Sequence, residues 1–119
     1  MPGAVNTLLE HETPHGLGRW FSTRKIGMGV PEVREVPERC FRNTQRKARA
    51  AMAEEGSDAF TYGCMRMTFL EMEEELEAEL GVPFVNPAKV AVRMAEMYID
   101  LGLRHSKLGF PAPKNLYFK

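Results

Sequence analysis

Short apolar segments that alternate with longer amphipathic ones constrain the fold of this chain more than any other feature. Residues 20–26, 58–63 and 82–85 are predicted as strands, because each is short and bounded by turn residues. Apolar and polar residues alternate loosely over 20–26, and 82–85 is apolar. Helical spacing of apolar residues is clearest over Pro37–Glu55 and 65–80. Strands that alternate with helices favour a parallel sheet with right-handed connections. The sequence therefore predicts a small three-layer α/β lobe, with a short parallel sheet flanked by helices.

Proline and glycine mark the boundaries of these elements. Pro37 suits the first turn of the first long helix, and Gly56 suits its left-handed C-terminal position. Asn86 and Pro87 form a start signal for a last helix, predicted over 88–101. The proline-containing segment 31–37 is predicted as a loop. We expect an irregular segment with a helix remnant over 1–18, the lobe over 19–103, and a polar tail over 104–119.

The charge and cysteine content exclude several classes of protein. Sixteen basic residues balance sixteen acidic ones, so the chain lacks the basic excess of a nucleic-acid-binding protein or of a polybasic membrane anchor. It has no apolar run of about 18 residues and no secretory signal. Two cysteines cannot form a disulfide scaffold, and no Cys/His spacing indicates a metal site. We expect a soluble, reduced protein of the cytoplasm.

A cysteine directly after the second predicted strand is the most informative candidate for chemistry. Ligands of open α/β sheets bind at the carboxyl ends of the strands, where Gly63, Cys64, Met65 and Arg66 fall. A helix start favours the thiolate form of a cysteine, and its free N–H groups favour oxyanions. Cys64 is therefore a candidate nucleophile or base. The alternative is a buried, inert cysteine.

Other polar groups are interpreted as structural. Cys40 lies within the first long helix and is predicted to be a core residue, without a disulfide to Cys64. The glutamates over 71–79 are interpreted as a solvated helix face. Arg66 is either a partner for a substrate carboxylate or a solvent-facing side chain. The three histidines share no helical face, which argues against a metal pair.

The stretch 56–67, with the sequence GSDAFTYGCMRM, resembles the second-cysteine motif of the aspartate/glutamate/hydantoin racemase superfamily. The hydantoin racemase branch is the most similar. The resemblance spans roughly residues 7–110, and it rests also on the segments 15–18, 26–30, 76–87, 91–97 and 101–107.

This resemblance implies one flavodoxin-like half of a two-lobe, cofactor-independent racemase. In that family one cysteine from each lobe faces a shared cleft, and the pair removes and returns a proton at the α-carbon. Cys64 would be the catalytic cysteine of the second lobe. Gly63, Met65, Arg66 and Asn86 would bind the substrate, a small hydantoin or amino-acid-like carboxylate. No metal or cofactor is implied.

Three departures from the family pattern leave several readings open. The chain is roughly half as long as typical members and lacks the first lobe. Arg66 stands where relatives have a small residue or a histidine, and Asn86 replaces a common aspartate. The chain is therefore a fragment, a lobe that forms a homo-oligomer, a single-cysteine decarboxylase or cis–trans isomerase, or a non-catalytic remnant that binds a partner.

Overall fold

The computed structural model describes residues 22–111, and the chain divides into two compact units, Met1–Asn86 and Pro87–Lys119. The described elements of the first unit follow one another in the order α1 (Val30–Glu35), α2 (Pro37–Glu55), β1 (Phe60–Thr61), α3 (Met65–Thr68), α4 (Glu73–Leu80) and β2 (Phe84–Val85). The second unit contains α5 (Pro87–Asp100). The helix remnant predicted over 1–18 lies outside the described residues.

The long helix α2 provides one wall of the core in the first unit. It begins with Pro37, whose missing N–H costs nothing in the first turn. It ends at Gly56, whose φ of 68° suits glycine because a Cβ is strained there. One stripe of the helix is buried, namely Cys40, Thr44, Ala48 and Ala51. The predicted helix is confirmed, with the predicted bounds.

A two-stranded parallel sheet lies at the centre of the first unit. Phe60 pairs with Phe84, and Thr61 pairs with Val85. Phe84 also stacks on the ring of Phe60, with centroids 5.8 Å apart, and lies 4.8 Å from the ring of Tyr62. The α/β class with a short parallel sheet flanked by helices is confirmed. The strands are shorter than the predicted 58–63 and 82–85.

Helix α4 closes the other side of this core. Leu76 is fully buried, and Met72 and Leu80 are almost so. Polar side chains then fix the helix to its neighbours. Glu77 Oε1 accepts a hydrogen bond from the backbone N–H of Phe84 at 2.8 Å. On the α2 side, the partner is Glu79, whose Oε2 accepts from Gln45 at 2.7 Å and whose backbone carbonyl accepts from Arg49 at 3.1 Å.

The predicted first strand is wrong over residues 22–26, which contain no strand. Side chains of α2 bind this segment in place of a neighbouring strand. Asn43 Nδ2 donates to the backbone carbonyl of Ile26 at 3.0 Å, and Arg24 pairs with Glu54 at 2.6 Å and with Glu55. Residues 20 and 21 of the predicted strand lie outside the described range. Within residues 22–111 the sheet has two strands, and not the predicted three.

The loop predicted over 31–37 is also wrong, because residues 30–35 form α1. Pro31 lies in the first turn of that helix, where proline is favourable. Glu32 reaches back to accept a hydrogen bond from the backbone N–H of Gly29 at 2.7 Å, which caps the helix start. Both prolines of the segment therefore begin helices, and Val36 alone separates α1 from α2.

The single helix predicted over 65–80 is wrong as well, because the chain breaks between α3 and α4. Glu71 has φ of 50°, which a side chain other than glycine adopts at a cost of about 1–2 kcal/mol. The predicted apolar stripe is not buried as a whole. Met65 is 57% exposed and Phe69 78% exposed, while Met67 and Met72 are buried. In one continuous helix Met67 and Met72 would point about 140° apart, since successive residues turn by about 100°. The break between α3 and α4 allows both side chains to be buried.

The second unit is built on α5, which begins at Pro87, one residue before the predicted start. Gly102 ends the turn that follows it, with φ of 64°, and the backbone N–H of Leu103 donates to the carbonyl of Tyr98 at 2.9 Å. Arg93 and Glu96 form an ion pair on this helix at 2.8 Å. Across residues 22–111, every helix is too short or too polar to cross a membrane.

Leu76 is the largest fully buried side chain among the described residues, and its truncation tests the packing between α2, α4 and the sheet. We expect Leu76→Ala to lower the free energy of unfolding by about 2–5 kcal/mol, because the lost contacts leave a cavity. Urea denaturation monitored by circular dichroism measures it. The matched control is Leu108→Ala, at a residue 98% exposed, which should change that free energy by less than about 0.5 kcal/mol. Equal losses for the two variants would contradict this core.

Candidate active site

Cys64 lies at the carboxyl end of the sheet, three residues after β1 ends and directly before α3. It is half-buried and packs against the edge of the core. Its backbone is extended, with φ of −120° and ψ of 122°, and its carbonyl accepts a hydrogen bond from the N–H of Met67 at 3.0 Å. The structure therefore places Cys64 at the N-cap of α3, at the strand end where α/β sheets bind ligands.

The helix that follows Cys64 has only four residues. The predicted helix over 65–80 would have given this thiol the dipole of a long helix, and the break after Thr68 removes most of it. The hydroxyl of Thr68 donates to the carbonyl of Met65 at 2.6 Å and tightens the turn. A negative charge near Cys64 would therefore be stabilised by the local backbone N–H groups and not by the dipole of a long helix.

The predicted binding residues surround Cys64 in different ways. Gly63, Met65 and Arg66 are exposed on the turn itself. Asn86, at the end of β2, is 5% exposed. Because β1 and β2 are parallel neighbours, the residues after both strands lie at one edge of the sheet. The structure therefore brings the turn at 63–66 and Asn86 to the same end of the sheet.

Asn86 is the centre of a buried hydrogen-bonded cluster at this edge. Its Nδ2 donates to the backbone carbonyl of Thr68 at 3.0 Å and to Glu73 Oε1 at 3.1 Å. Thr68 ends α3, and Glu73 begins α4. The Asn86 amide thus connects the two sides of the break that follows the Cys64 turn.

Glu73 and Tyr62 are buried polar residues that the sequence analysis did not find. The solvated face predicted for the glutamates over 71–79 is wrong for Glu73, which is 7% exposed. Tyr62 is 5% exposed, and its hydroxyl has no hydrogen-bond partner among the described residues. Burial, with the nearby Glu73 carboxylate as a second cause, raises the pKa of Tyr62 well above its ordinary value. The one signal in the sequence for the burial of Tyr62 is its spacing of two residues from Phe60 in the predicted strand 58–63.

A cavity of about 680 Å³ lies beside β1. Its lining includes Thr44, Lys47, Asp58, Tyr62 and Gly63. Cys64 itself is absent from the lining. The cavity reaches the segment around Cys64 through Gly63 and Met67.

The second cysteine belongs to the core of the first unit, and His105 belongs to the second unit. Cys40 is fully buried, and burial raises the pKa of its thiol. Both cysteines are free thiols. His105 packs against the tilted ring of Phe110, with ring centroids 5.0 Å apart, and His11 and His15 fall outside residues 22–111. In that range no three His, Cys, Asp or Glu side chains form a group that could hold a metal ion.

The fold and the site together define an α/β lobe with a half-buried cysteine at the carboxyl end of a parallel sheet. Similar proteins are racemases. A hydantoin racemase of a Pseudomonas species is 33% identical over 90 residues, and that of Paenarthrobacter aurescens is 30% identical over 89 residues. These matches cover 76% and 75% of this chain. The chain belongs to the aspartate/glutamate/hydantoin racemase superfamily.

A solved structure, that of allantoin racemase from Pseudomonas fluorescens, is similar to the whole lobe. The TM-score is 0.82 at 29% identity, over 98% of this chain and 50% of the other. The chain spans about half the length of that protein, and its matches cover 35% and 37% of the two hydantoin racemases. No protein-family model matches the chain.

The raised pKa of Tyr62 predicts a loss of stability in alkali. Above about pH 10 the unfolded tyrosine loses its proton while the folded one keeps it, so the free energy of unfolding falls as pH rises. Tyr62→Phe should remove this contribution to the slope. At pH 7 it should change that free energy by less than about 1 kcal/mol, because the hydroxyl has no partner among the described residues. Urea denaturation between about pH 7 and 11 measures both effects, since this range spans the ordinary pKa of tyrosine.

Tyr98→Phe is the matched control, since it removes the hydroxyl of an exposed tyrosine. The difference between the two variants isolates the buried hydroxyl from the general effects of alkali. An alkaline slope that is unchanged in Tyr62→Phe would contradict the prediction.

Proposed function

We propose that this chain is one lobe of a cofactor-independent racemase or related isomerase that acts on a hydantoin or an amino-acid-like carboxylate. One observation carries the proposal: a half-buried cysteine at the carboxyl end of β1, in a lobe that resembles allantoin racemase. The names of the relatives support a small-molecule substrate. A cytoplasmic location stays a prediction.

Cys64 would act as an acid–base group at the α-carbon. Its thiolate takes the α-proton, and the electron pair of the broken C–H bond moves onto the adjacent carbonyl as an enolate. A second acid then returns a proton to the opposite face, so the net reaction inverts the carbon. General acid–base catalysis of this kind contributes about 10²–10⁴-fold for each well-placed group.

The exposed turn around Cys64 would hold the substrate. The backbone N–H groups at Met65 and Arg66 are close to the thiol along the chain and could bind the enolate oxygen. The Arg66 side chain is exposed and carries the charge that a substrate carboxylate requires. Gly63 leaves room for the substrate at the strand end, because it has no side chain.

The opposing acid must come from another lobe. Cys40, the only other cysteine of the chain, is fully buried and so cannot reach a substrate at the Cys64 turn. Two apolar side chains close to Cys64 along the chain are exposed, Met65 at 57% and Phe69 at 78%. We propose that a second copy of this chain covers them and supplies its own Cys64, since two-fold pairing is the commonest form of self-association.

The role of Cys64 predicts a loss of proton exchange on its removal. An optically pure 5-substituted hydantoin in D₂O should racemise and gain one deuterium at the α-carbon, followed by polarimetry and proton NMR. We expect Cys64→Ala to lower this rate by at least about 100-fold. Cys40→Ala, the matched removal of a buried thiol, should retain the rate, provided that circular dichroism gives the same fold. Racemisation that continues unchanged in Cys64→Ala would refute the proposal.

Self-association predicts a solution mass of twice 13.5 kDa in reducing buffer. Light scattering behind a sizing column measures this mass. Phe69→Lys should shift the chain to the monomer, because it replaces an exposed apolar side chain close to Cys64 along the chain with a charged one. Phe110→Lys is the matched control, since it changes another exposed phenylalanine. A monomer at high concentration would contradict the dimer and favour single-cysteine chemistry, in which Cys64 only donates a proton.

A further inference from the structure

The turn that carries Cys64 is short, and it ends at the break between α3 and α4. Cys64 begins the turn, since its carbonyl accepts the first hydrogen bond, from the N–H of Met67. Glu71, in the left-handed conformation, lies in the break that ends it. A four-residue helix such as α3 has too few internal hydrogen bonds to hold its own shape. The position of Cys64 therefore depends on contacts from outside the turn.

Asn86 makes these contacts from the neighbouring strand. One amide nitrogen holds the carbonyl of Thr68, the last residue of α3, and the carboxylate of Glu73, the first residue of α4. Both bonds are buried, so water cannot replace either of them at low cost. The Thr68 hydroxyl cannot substitute for Asn86, because it already donates to the Met65 carbonyl.

We propose that Asn86 is the positioning residue for Cys64. Its side-chain amide fixes the far end of the turn that Cys64 begins, and the Glu73 carboxylate orients that amide. Asn86 thus supports the site from within the protein instead of contacting the substrate. Its value for catalysis rests on the proposed role of Cys64, whereas its effect on the turn is independent of any reaction.

Amide hydrogen exchange followed by NMR tests the proposal on the full chain without substrate. The Met67 amide, which donates to the Cys64 carbonyl, reports on the turn. The Gly81 amide, which donates to the Glu77 carbonyl at 2.8 Å, reports on α4. In Asn86→Ala we expect the protection of Met67 to fall by about tenfold, as the loss of one buried hydrogen bond implies, and that of Gly81 by less than about twofold.

The matched control is Asn43→Ala, which removes the same kind of bond, from an asparagine amide to a backbone carbonyl, at Ile26. It should leave the protection of Met67 unchanged. Asn86→Val also removes both donors, leaves a smaller cavity than alanine and adds no charge beside Glu73, so it gives the same readout if Asn86→Ala does not fold. Alkylation of Cys64 by iodoacetamide should accelerate in the Asn86 variants by a factor similar to the loss of Met67 protection.

Equal losses of protection at Met67 and Gly81 would assign Asn86 to global stability alone and overturn the proposal. Unchanged protection at Met67 would overturn it as well. The outcome is separate from that of the racemisation assay. A selective loss at Met67 would support the positioning role even if the chain racemised no hydantoin, and a failure here would leave the chemistry of Cys64 to be judged by its own assay.

Discussion

Parallel pairing of β1 with β2 is the contact on which the rest of the first unit depends. The pairing is only two residues long, yet it sets Phe60 beside Phe84 and so builds the aromatic centre of the core. It also brings the ends of both strands to one edge, which places Cys64 near Asn86 along that edge. Helices α2 and α4 then close over the sheet through Leu76 and the hydrogen bonds of Glu77 and Glu79. The pairing of β1 with β2 therefore supports both the core of the first unit and the candidate site.

In the proposed function, the candidate site is one half of a larger arrangement. Cys64 is half-buried on a turn from which Met65 is exposed, and the buried Cys40 offers no opposing group. The similarity to allantoin racemase covers almost all of this chain but half of that protein. The proposed two-base proton transfer needs groups on both faces of the substrate, and a second lobe would supply the group that this chain lacks at the proposed site. The chain belongs to the racemase superfamily, and in the proposed function a second copy of the chain is that second lobe.

The sequence predicted the class of fold and α2 well, because proline, glycine and a regular apolar stripe all mark the same helix. It failed where tertiary contacts outweigh local pattern. The regular spacing of Met65, Phe69 and Met72 predicts one helix, but burial of Met67 requires a different phase and breaks it. The loop predicted over 31–37 is wrong because Pro31, like Pro37, lies in the first turn of a helix. The position of Cys64 followed from the strand pattern, whereas the burial of Glu73 could not, since its neighbours are also glutamates.

The one-residue junction at Val36 has a consequence for how this lobe can vary in length. Helices α1 and α2 meet there without a flexible connection, and each begins with a proline that restricts its backbone. Insertion of one residue within α1, between Val33 and Val36, would rotate Val33 by about 100° relative to α2, since a helix turns once every ~3.6 residues. Val33, which is 3% exposed, would then leave the core. The length of the segment from Val33 to α2 is therefore constrained, and related chains should have their insertions and deletions outside it.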